Sequence, residues 1–477
     1  MTGDFGAFDA EAALAPVRAA AAPLEAQVWV VGGTVRDAVL ERPLRDIDLA
    51  VAGEPEPLAR AVARQVGGSV FRLSERFGAW RATDRSTGRT CDVSPLQGET
   101  LLEDLARRDF SINAMAVSLA GGPLVDPFEG RRDLDAGVVR VLGAEAYRAD
   151  PLRPLRLVRL ATELGLAPDP ETERLTRAAA PRVTAASPER IWGELRRLVV
   201  SDHVLAGLEL SGRLGLTAAV LPELEALRGV QQSHFHHLDV HSHTLEVLRA
   251  LIELERDPVG LFGALAPSLA GVIEQPLGDD LTRAQALRFG ALLHDIAKPS
   301  TFELRADGRP TFFGHDVAGA LLVEALCRRL RTSERVRSFV SGVTRHHLRL
   351  GFLVHEQPLT RRAVYRYLRA TDPVEVEVTL LSCADRLATR GRNAESAIAK
   401  HLDLALELMG DALRWRVDGP PAPRVRGDDL ANALGVRPGP EIGLLLEKLE
   451  EATYAGEVSD REDALELARR VRQNPSR

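Results

Sequence analysis

Cysteine is nearly absent. Cys91, Cys327 and Cys383 are the only three in 477 residues, too few and too widely spaced for a disulfide framework or a thiolate zinc site. Aromatic residues make up 5% of the chain, which argues against base recognition by stacking on an aromatic sheet. No apolar run is long enough to span a bilayer, and no basic-then-apolar leader is visible, so the expected location is cytoplasmic, with no membrane partner. An excess of positive charge is also missing. The net charge of −7 excludes a protein that coats nucleic acid indiscriminately, while leaving room for a local basic face. Lysine is the scarcest charged residue: Lys298, Lys400 and Lys448 stand alone among 61 basic residues. Codon bias is the simplest explanation, although the arginine fork also suits phosphate.

What is present is length and pattern. At 477 residues, with 45% hydrophobic and 27% charged residues, three or four ordinary soluble domains are expected. The informative stretch is Val28-Trp29-Val30-Val31-Gly32-Gly33-Thr34-Val35-Arg36-Asp37, followed by Asp46-Ile47-Asp48-Leu49-Ala50-Val51. It reads as a buried strand, a glycine turn, a short helix and a second strand. Thr34 is expected to cap the helix, whose first N–H groups would face an anion above the turn. Alternation puts Asp46 and Asp48 on one side of the second strand, with Ile47 and Leu49 behind. Two carboxylates side by side repel unless a cation sits between them, and beside a phosphate cradle they suit metal-assisted phosphoryl transfer. Either motif alone is commonplace, a tight turn or a solvated edge.

Together, in this order, the two resemble the nucleotidyltransferase signature of the polymerase β superfamily, as in class II CCA-adding enzymes and bacterial poly(A) polymerases. The resemblance implies a multidomain chain: an α/β head built on a polymerase β-like mixed sheet with helices, then an all-α neck, an HD helical domain and a helical tail. The expected bounds are 1–140, 141–220, 221–418 and 424–477, with 419–423 as a linker. Within the head, a leading helix is expected in the Ala-rich segment 1–26 and another helix over 58–66. Extended segments are expected over 69–73, 79–83 and 90–93.

The resemblance also implies roles. Asp46 and Asp48, with Asp92 as a third carboxylate, would carry catalysis and hold Mg2+; an edge-strand aspartate is the equally weighted alternative for Asp92. Gly32, Gly33 and Arg36 would cradle the nucleotide. So would Arg107, Arg108, Asp109 and Asn113 of the element Arg107-Arg108-Asp109-Phe110-Ser111-Ile112-Asn113-Ala114. Asp126-Pro127-Phe128-Glu129-Gly130 and Asp133 would brace the head. In the neck, Asp150, Arg153 and Arg156 match the motif in which side chains replace a template. A helix is expected there through Arg159 to Leu164, stopped by Gly165, with Asp150 and Arg153 on one face. Asp accepts and Arg donates, so the pair complements the amino group and ring nitrogen of C or A. G and U would leave buried polar groups unpaired, at roughly 1–3 kcal/mol each. Ser187 followed by Pro188 is expected to open the next neck helix.

Two departures bear on specificity. The family's leading Glu is Ala149 here. The connection from Asp92 to Arg107 runs through the short segment Val93-Ser94-Pro95-Leu96-Gln97-Gly98, without the flexible loop that in the family permits the switch to adenosine. Both point toward a variant that adds only the two cytidines.

Beyond residue 221 histidines accumulate: His234, His236, His237, His241 and His243, then His294-Asp295, His315, His346-His347, with Asp385 further on. The set resembles the HD phosphohydrolase superfamily, in the form fused to CCA-adding enzymes. The implied ligands of a divalent metal are His243, His294, Asp295 and Asp385, with His315 and His346 at the positions found in hydrolytic members. Sequence does not separate His346 from its neighbour His347. Such a site would activate water against a phosphomonoester or a 2′,3′-cyclic phosphodiester. In the tail, Pro438-Gly439-Pro440 would enter a helix over 442–451; in the family, body and tail hold the tRNA elbow. Three readings therefore stand: a tRNA nucleotidyltransferase using CTP and/or ATP, a poly(A) polymerase, or a histidine-site phosphohydrolase whose head only binds RNA.

Overall fold

The computed structural model describes residues 10–44, 46–75, 77–232, 238–390 and 394–473. His234, His236 and His237 lie outside the described residues. The chain divides into two compact units, residues 1–220 and 221–477.

The first unit opens with helix α1 (Ala10–Ala21), the described part of the expected leading helix. Strand β1 (Val28–Val31), helix α2 (Gly33–Val39) and strand β2 (Asp46–Val51) follow. Helix α3 (Glu56–Gln65) then packs against α1. Strands β3 (Ser69–Ser74), β4 (Ala79–Thr83) and β5 (Thr90–Pro95), helix α4 (Leu101–Ala106) and strand β6 (Ala116–Ser118) complete the head. The sheet order is β3-β4-β5-β2-β1-β6, mixed because β2 and β5 run parallel while every other pair is antiparallel. Val30, Leu49 and Val93 are buried on one face of it, and Val31 and Ala50 on the other. The apolar side chains that alternate with Asp46 and Asp48 thus fix which way the carboxylates face.

Thr34 does not cap α2. Gly32 occupies the N-cap with no side-chain bond. The Thr34 hydroxyl instead accepts from the Asp48 N–H at 2.7 Å and donates to the Asp46 carbonyl at 3.2 Å. The threonine fastens the turn to β2 because that strand, in register with β1, offers it two backbone groups.

Helices α5 (Gly130–Asp135), α6 (Ala144–Ala149) and α7 (Arg153–Leu164) lead into a helical region. Its only strand pairing among the described residues joins Val138–Val139 to Ala167–Pro168. Asp126 accepts from the N–H groups of Gly130 and Arg131 and so starts α5. Asp133, on α5, takes Arg140 and the Ser111 hydroxyl. Gly165, left-handed at φ +67°, ends α7. Asp150 is extended and lies between α6 and α7, so it shares no helix face with Arg153. Ser187 precedes the helix Pro188–Val200 as its N-cap, without a side-chain bond.

Among its described residues the second unit is helical apart from two short hairpins, Pro276–Gly278 with Leu281–Thr282 and Glu303–Leu304 with Pro310–Thr311. A 25-residue helix, Ala394–Asp418, precedes the terminal helices Gly427–Leu434, Pro440–Ala455 and Arg461–Gln473. Those three share their own core around Leu430, Ile442, Leu445 and Leu449. No helix among the described residues is long and apolar enough to cross a membrane.

Candidate active site and candidate metal centre

In the head, the turn after β1 must be glycine. A Cβ on Gly32 would stand 2.7 Å from the Arg108 guanidinium and 3.4 Å from an Asp48 carboxylate oxygen, at φ +67°. Parallel register sets Asp48 directly beside Asp92. Asp46, one pleat along and exposed, pairs across to Thr90, whose hydroxyl donates to its carboxylate at 2.6 Å. Burial, and then the neighbouring Asp92 charge, push the Asp48 carboxyl up to about 6 despite Arg108 nearby. A pair of carboxylates kept from sharing solvent is a donor set suited to a hard cation. Arg81, on β4, grips Asp92 through two bonds of 2.7 Å. The sequence pattern had no means to show this partner, since it arrives by β4–β5 pairing.

Arg36, Asn113, Asp109 and Arg156 form one chain of bonds. Arg36 donates to the Asn113 side-chain oxygen at 2.7 Å, and the Asn113 amide donates to Asp109 at 2.9 Å. Arg156 donates to the other Asp109 oxygen at 3.0 Å. Burial opposes charge on Asp109, but Arg156, Asn113 and Arg153 outweigh it and hold the carboxyl down at about 2. Arg108 is held by Asp104 at 3.0 Å, while Arg107 is exposed. Arg153 reaches across to the carbonyls of Arg107, Arg108 and Ala146, and its Nε is buried without a hydrogen-bond partner. Asp150 is not paired with Arg153. It is gripped through both oxygens by Arg190, at 2.6 and 3.1 Å. Arg190 and Glu194, which binds Arg159 and faces Arg156, were legible only as part of a neck helix.

The histidine constellation assembles at helix ends. His243 lies in helix Val240–Arg256; His294 and Asp295 follow Arg283–Leu293; His315 opens His315–Leu330; Asp385 lies in Glu375–Ala388. The expected His346 is not in the cluster: its Nδ1 accepts from Arg349 at 2.9 Å. His347 takes the place, because one further helical step swings its ring into the buried interior. Lys298, three residues after Asp295, pairs with that carboxylate at 2.7 Å.

Three of these rings are oriented alike. Nδ1 of His294, His315 and His347 meets the carbonyl of Ala291, Phe312 and Thr344, at 2.8, 2.7 and 2.6 Å. A carbonyl only accepts, so each Nδ1 carries a proton and each ring turns its Nε2 inward, the atom that would bind a metal. The Nε2 atoms of His315 and His347 then face each other at 3.3 Å. They stand 3.3 and 3.8 Å from one oxygen of Asp295, while His294 and His243 stand 3.2 and 3.9 Å from the other. His243 is also 3.0 Å from Asp385. Backbone-anchored imidazoles that converge on one shared carboxylate are the usual setting of metal ligands. The donors form two groups, His243–His294–Asp295 and Asp295–His315–His347, sharing Asp295. Burial, and then His294, press the His347 pKa down to about 4, which keeps its ring in the ligating form. A His347→Ala variant is expected to weaken binding of Ni2+ or Mn2+ by about 100-fold or more, measured by competition with a chelator. His346→Ala should leave it unchanged; the reverse outcome would return the ligand to His346.

The chain is also similar to known proteins along most of its length. Residues 28–140 match the family described as Poly A polymerase head domain, residues 165–227 the probable RNA and SrmB-binding site of polymerase A, and residues 240–390 the HD domain. An A-adding tRNA nucleotidyltransferase of Deinococcus radiodurans is 34% identical over 92% of this chain and 94% of its own length. A CC-adding tRNA nucleotidyltransferase of Thermus thermophilus is 34% identical over 91% of each chain. In fold, the chain is similar to a CCA-adding enzyme in an apo form, with a TM-score of 0.63 at 21% identity over 95% of this chain and 92% of the other. Likeness of that extent and identity settles kinship: the chain belongs to the tRNA nucleotidyltransferase family.

Proposed function

We propose that this enzyme extends the 3′ end of tRNA from CTP without a nucleic-acid template, and that it adds the two cytidines and stops. The 3′-oxygen of tRNA attacks the α-phosphorus of CTP; the new P–O bond forms as the bond to pyrophosphate breaks, and the hydroxyl proton leaves to solvent or base. Asp46 and Asp48, with Asp92, would hold Mg2+, which lowers the charge on the triphosphate and on the attacking oxygen when bound. Arg36 and Arg108 supply donors to the phosphates, held in place by Asn113 and Asp104. Asp150 and Arg153 offer acceptor and donor to the base; Arg190 orients the first, and the unpartnered Nε of Arg153 is a donor in want of an acceptor.

The restriction to cytidine rests on the connection from β5 to α4. It spans only 96–100 and is pinned: the Gln97 N–H donates to Asp104 at 2.9 Å and the Glu99 N–H to Glu103 at 2.7 Å. A pinned five-residue link has little freedom to rearrange for a second base. With tRNA lacking its last three nucleotides, Mg2+ and labelled CTP, ATP or both, two cytidines and no adenosine are expected. One added adenosine would sink the restriction, and long adenosine tracts would make the protein a poly(A) polymerase. Addition of adenosine alone, to tRNA already ending in CC, would match the Deinococcus relative instead.

The convergent Nε2 atoms around Asp295 favour a second activity. The HD centre would hydrolyse a phosphomonoester or 2′,3′-cyclic phosphodiester: a water oxygen bonds to phosphorus, the ester P–O bond breaks, and the proton passes to the leaving oxygen. A divalent metal held there supplies the acidity of the attacking water.

A further inference from the structure

Four residues form one row across the head's sheet. Asp48 on β2 stands beside Asp92 on β5, Asp92 is opposite Arg81 on β4, and Arg81 is opposite Phe71 on β3. Opposite residues on paired strands point to the same face, so the Phe71 ring shares the face of the carboxylates. Trp80, one residue before Arg81, points the other way, with the Arg60 guanidinium of α3 standing 5.5 Å over its ring. Strands lie about 4.8 Å apart, which puts the Phe71 backbone roughly 10 Å from that of Asp92 and roughly 14 Å from that of Asp48. Strand β3 is an edge of the sheet, and Phe71 is 47% exposed there. It is not a lone apolar residue in water: Leu73 on the same strand and Phe77, between β3 and β4, are 41% and 45% exposed.

The row also has a direction. The candidate donors for the triphosphate, which are the Gly32-Gly33 turn, Arg36 and Arg108, gather where β1 ends, and β1 and β5 flank β2 on opposite sides. In phosphoryl transfer the attacking and leaving oxygens lie roughly in line through phosphorus. Pyrophosphate held toward β1 therefore requires the tRNA 3′-oxygen to arrive from the β5 side. The strand behind that oxygen then runs out over Arg81, whose side chain is 33% exposed, toward Phe71. A cation for the backbone and a flat apolar surface for a base are what a single strand needs, and they come in that order. We propose that Phe71 is the stacking platform for a base of the tRNA acceptor strand, a few nucleotides back from the attacking hydroxyl. This rests on the nucleotidyltransferase reading of the head and adds the side from which tRNA enters and a residue that positions it.

The test is steady-state incorporation by the full chain on the tRNA 3′ end that it extends, with the matching nucleoside triphosphate. Phe71→Ala is expected to raise the KM for tRNA by about tenfold or more and to leave the KM for the triphosphate unmoved. Phe71→Trp should restore the tRNA KM and Phe71→Leu should not, which separates stacking from apolar packing. An unchanged melting temperature reports that the variants are folded. Single abasic nucleotides along the acceptor end then locate the partner: at one position the wild type loses affinity and Phe71→Ala loses nothing further. Equal losses in the two proteins at every position, or a raised triphosphate KM with the tRNA KM unmoved, would overturn the platform and leave the transferase reading intact. If the wild type extends no tRNA end, that reading fails and the platform falls with it.

Discussion

Asp48→Asn is expected to lower nucleotide incorporation by about 10³-fold or more, while the metal-free protein becomes no less stable. The loss follows from charge placement. A metal clamp on a transferring phosphoryl group contributes several kcal/mol, and each 1.4 kcal/mol is tenfold in rate. An amide of the same shape keeps the fold but removes half of the charge that Asp48 and Asp46 present on one face of β2. The stability half follows from the same environment. Burial first, and Asp92 second, raise the Asp48 carboxyl to about 6. A carboxyl raised on folding costs nothing below its unfolded value near 4, and its penalty grows as pH rises toward 6. At pH 7 in a chelator, the wild type bears that penalty and the asparagine variant does not. Thermal melting should show the variant equal to the wild type or higher by about 2–4 °C, with the advantage vanishing near pH 4. Near-normal incorporation by Asp48→Asn would move the chemistry elsewhere; a collapsed fold would make Asp48 structural.

The second large effect is in the other unit. Asp295→Ala is expected to abolish metal retention and to destabilise residues 221–477 by about 3–5 kcal/mol. Its carboxylate is the centre on which Lys298, His294 and His315 converge, at 2.7, 3.2 and 3.3 Å. Burial opposes its charge, but His294 and Lys298 outweigh that and hold it well below the usual carboxylate range. Alanine leaves a buried ammonium and at least one imidazole facing each other without an anion. A carboxyl depressed on folding stabilises at neutral pH and loses that contribution as pH falls through its folded value, so the gap between wild type and variant should narrow in acid. Calorimetry in the presence of chelator reads the stability, and elemental analysis of the dialysed protein reads the metal. Full metal content in the variant would remove Asp295 from the centre.

Sequence alone determined the local patterns. The apolar run Val28–Val31 closed by Gly32-Gly33, and the alternation of Asp46 and Asp48 with Ile47 and Leu49, depend on periodicity and on a turn that only glycine can make. Three of the head's strands and the stop at Gly165 were legible for the same reason. The resemblance to the HD superfamily likewise pointed to His243, His294, Asp295, His315 and Asp385, which the fold brings close together. Tertiary structure decided the partners. Thr34 serves β2 rather than α2, Asp92 is held by Arg81, and Asp150 belongs to Arg190 instead of lying on a helix with Arg153. His347 displaces His346 into the cluster. Each of these choices joins residues that are adjacent only after strands pair and helices pack. A pattern read along the chain fixes which face a side chain occupies. What it meets there is set by register and packing between distant segments, and one residue along a helix turns a side chain by about 100°.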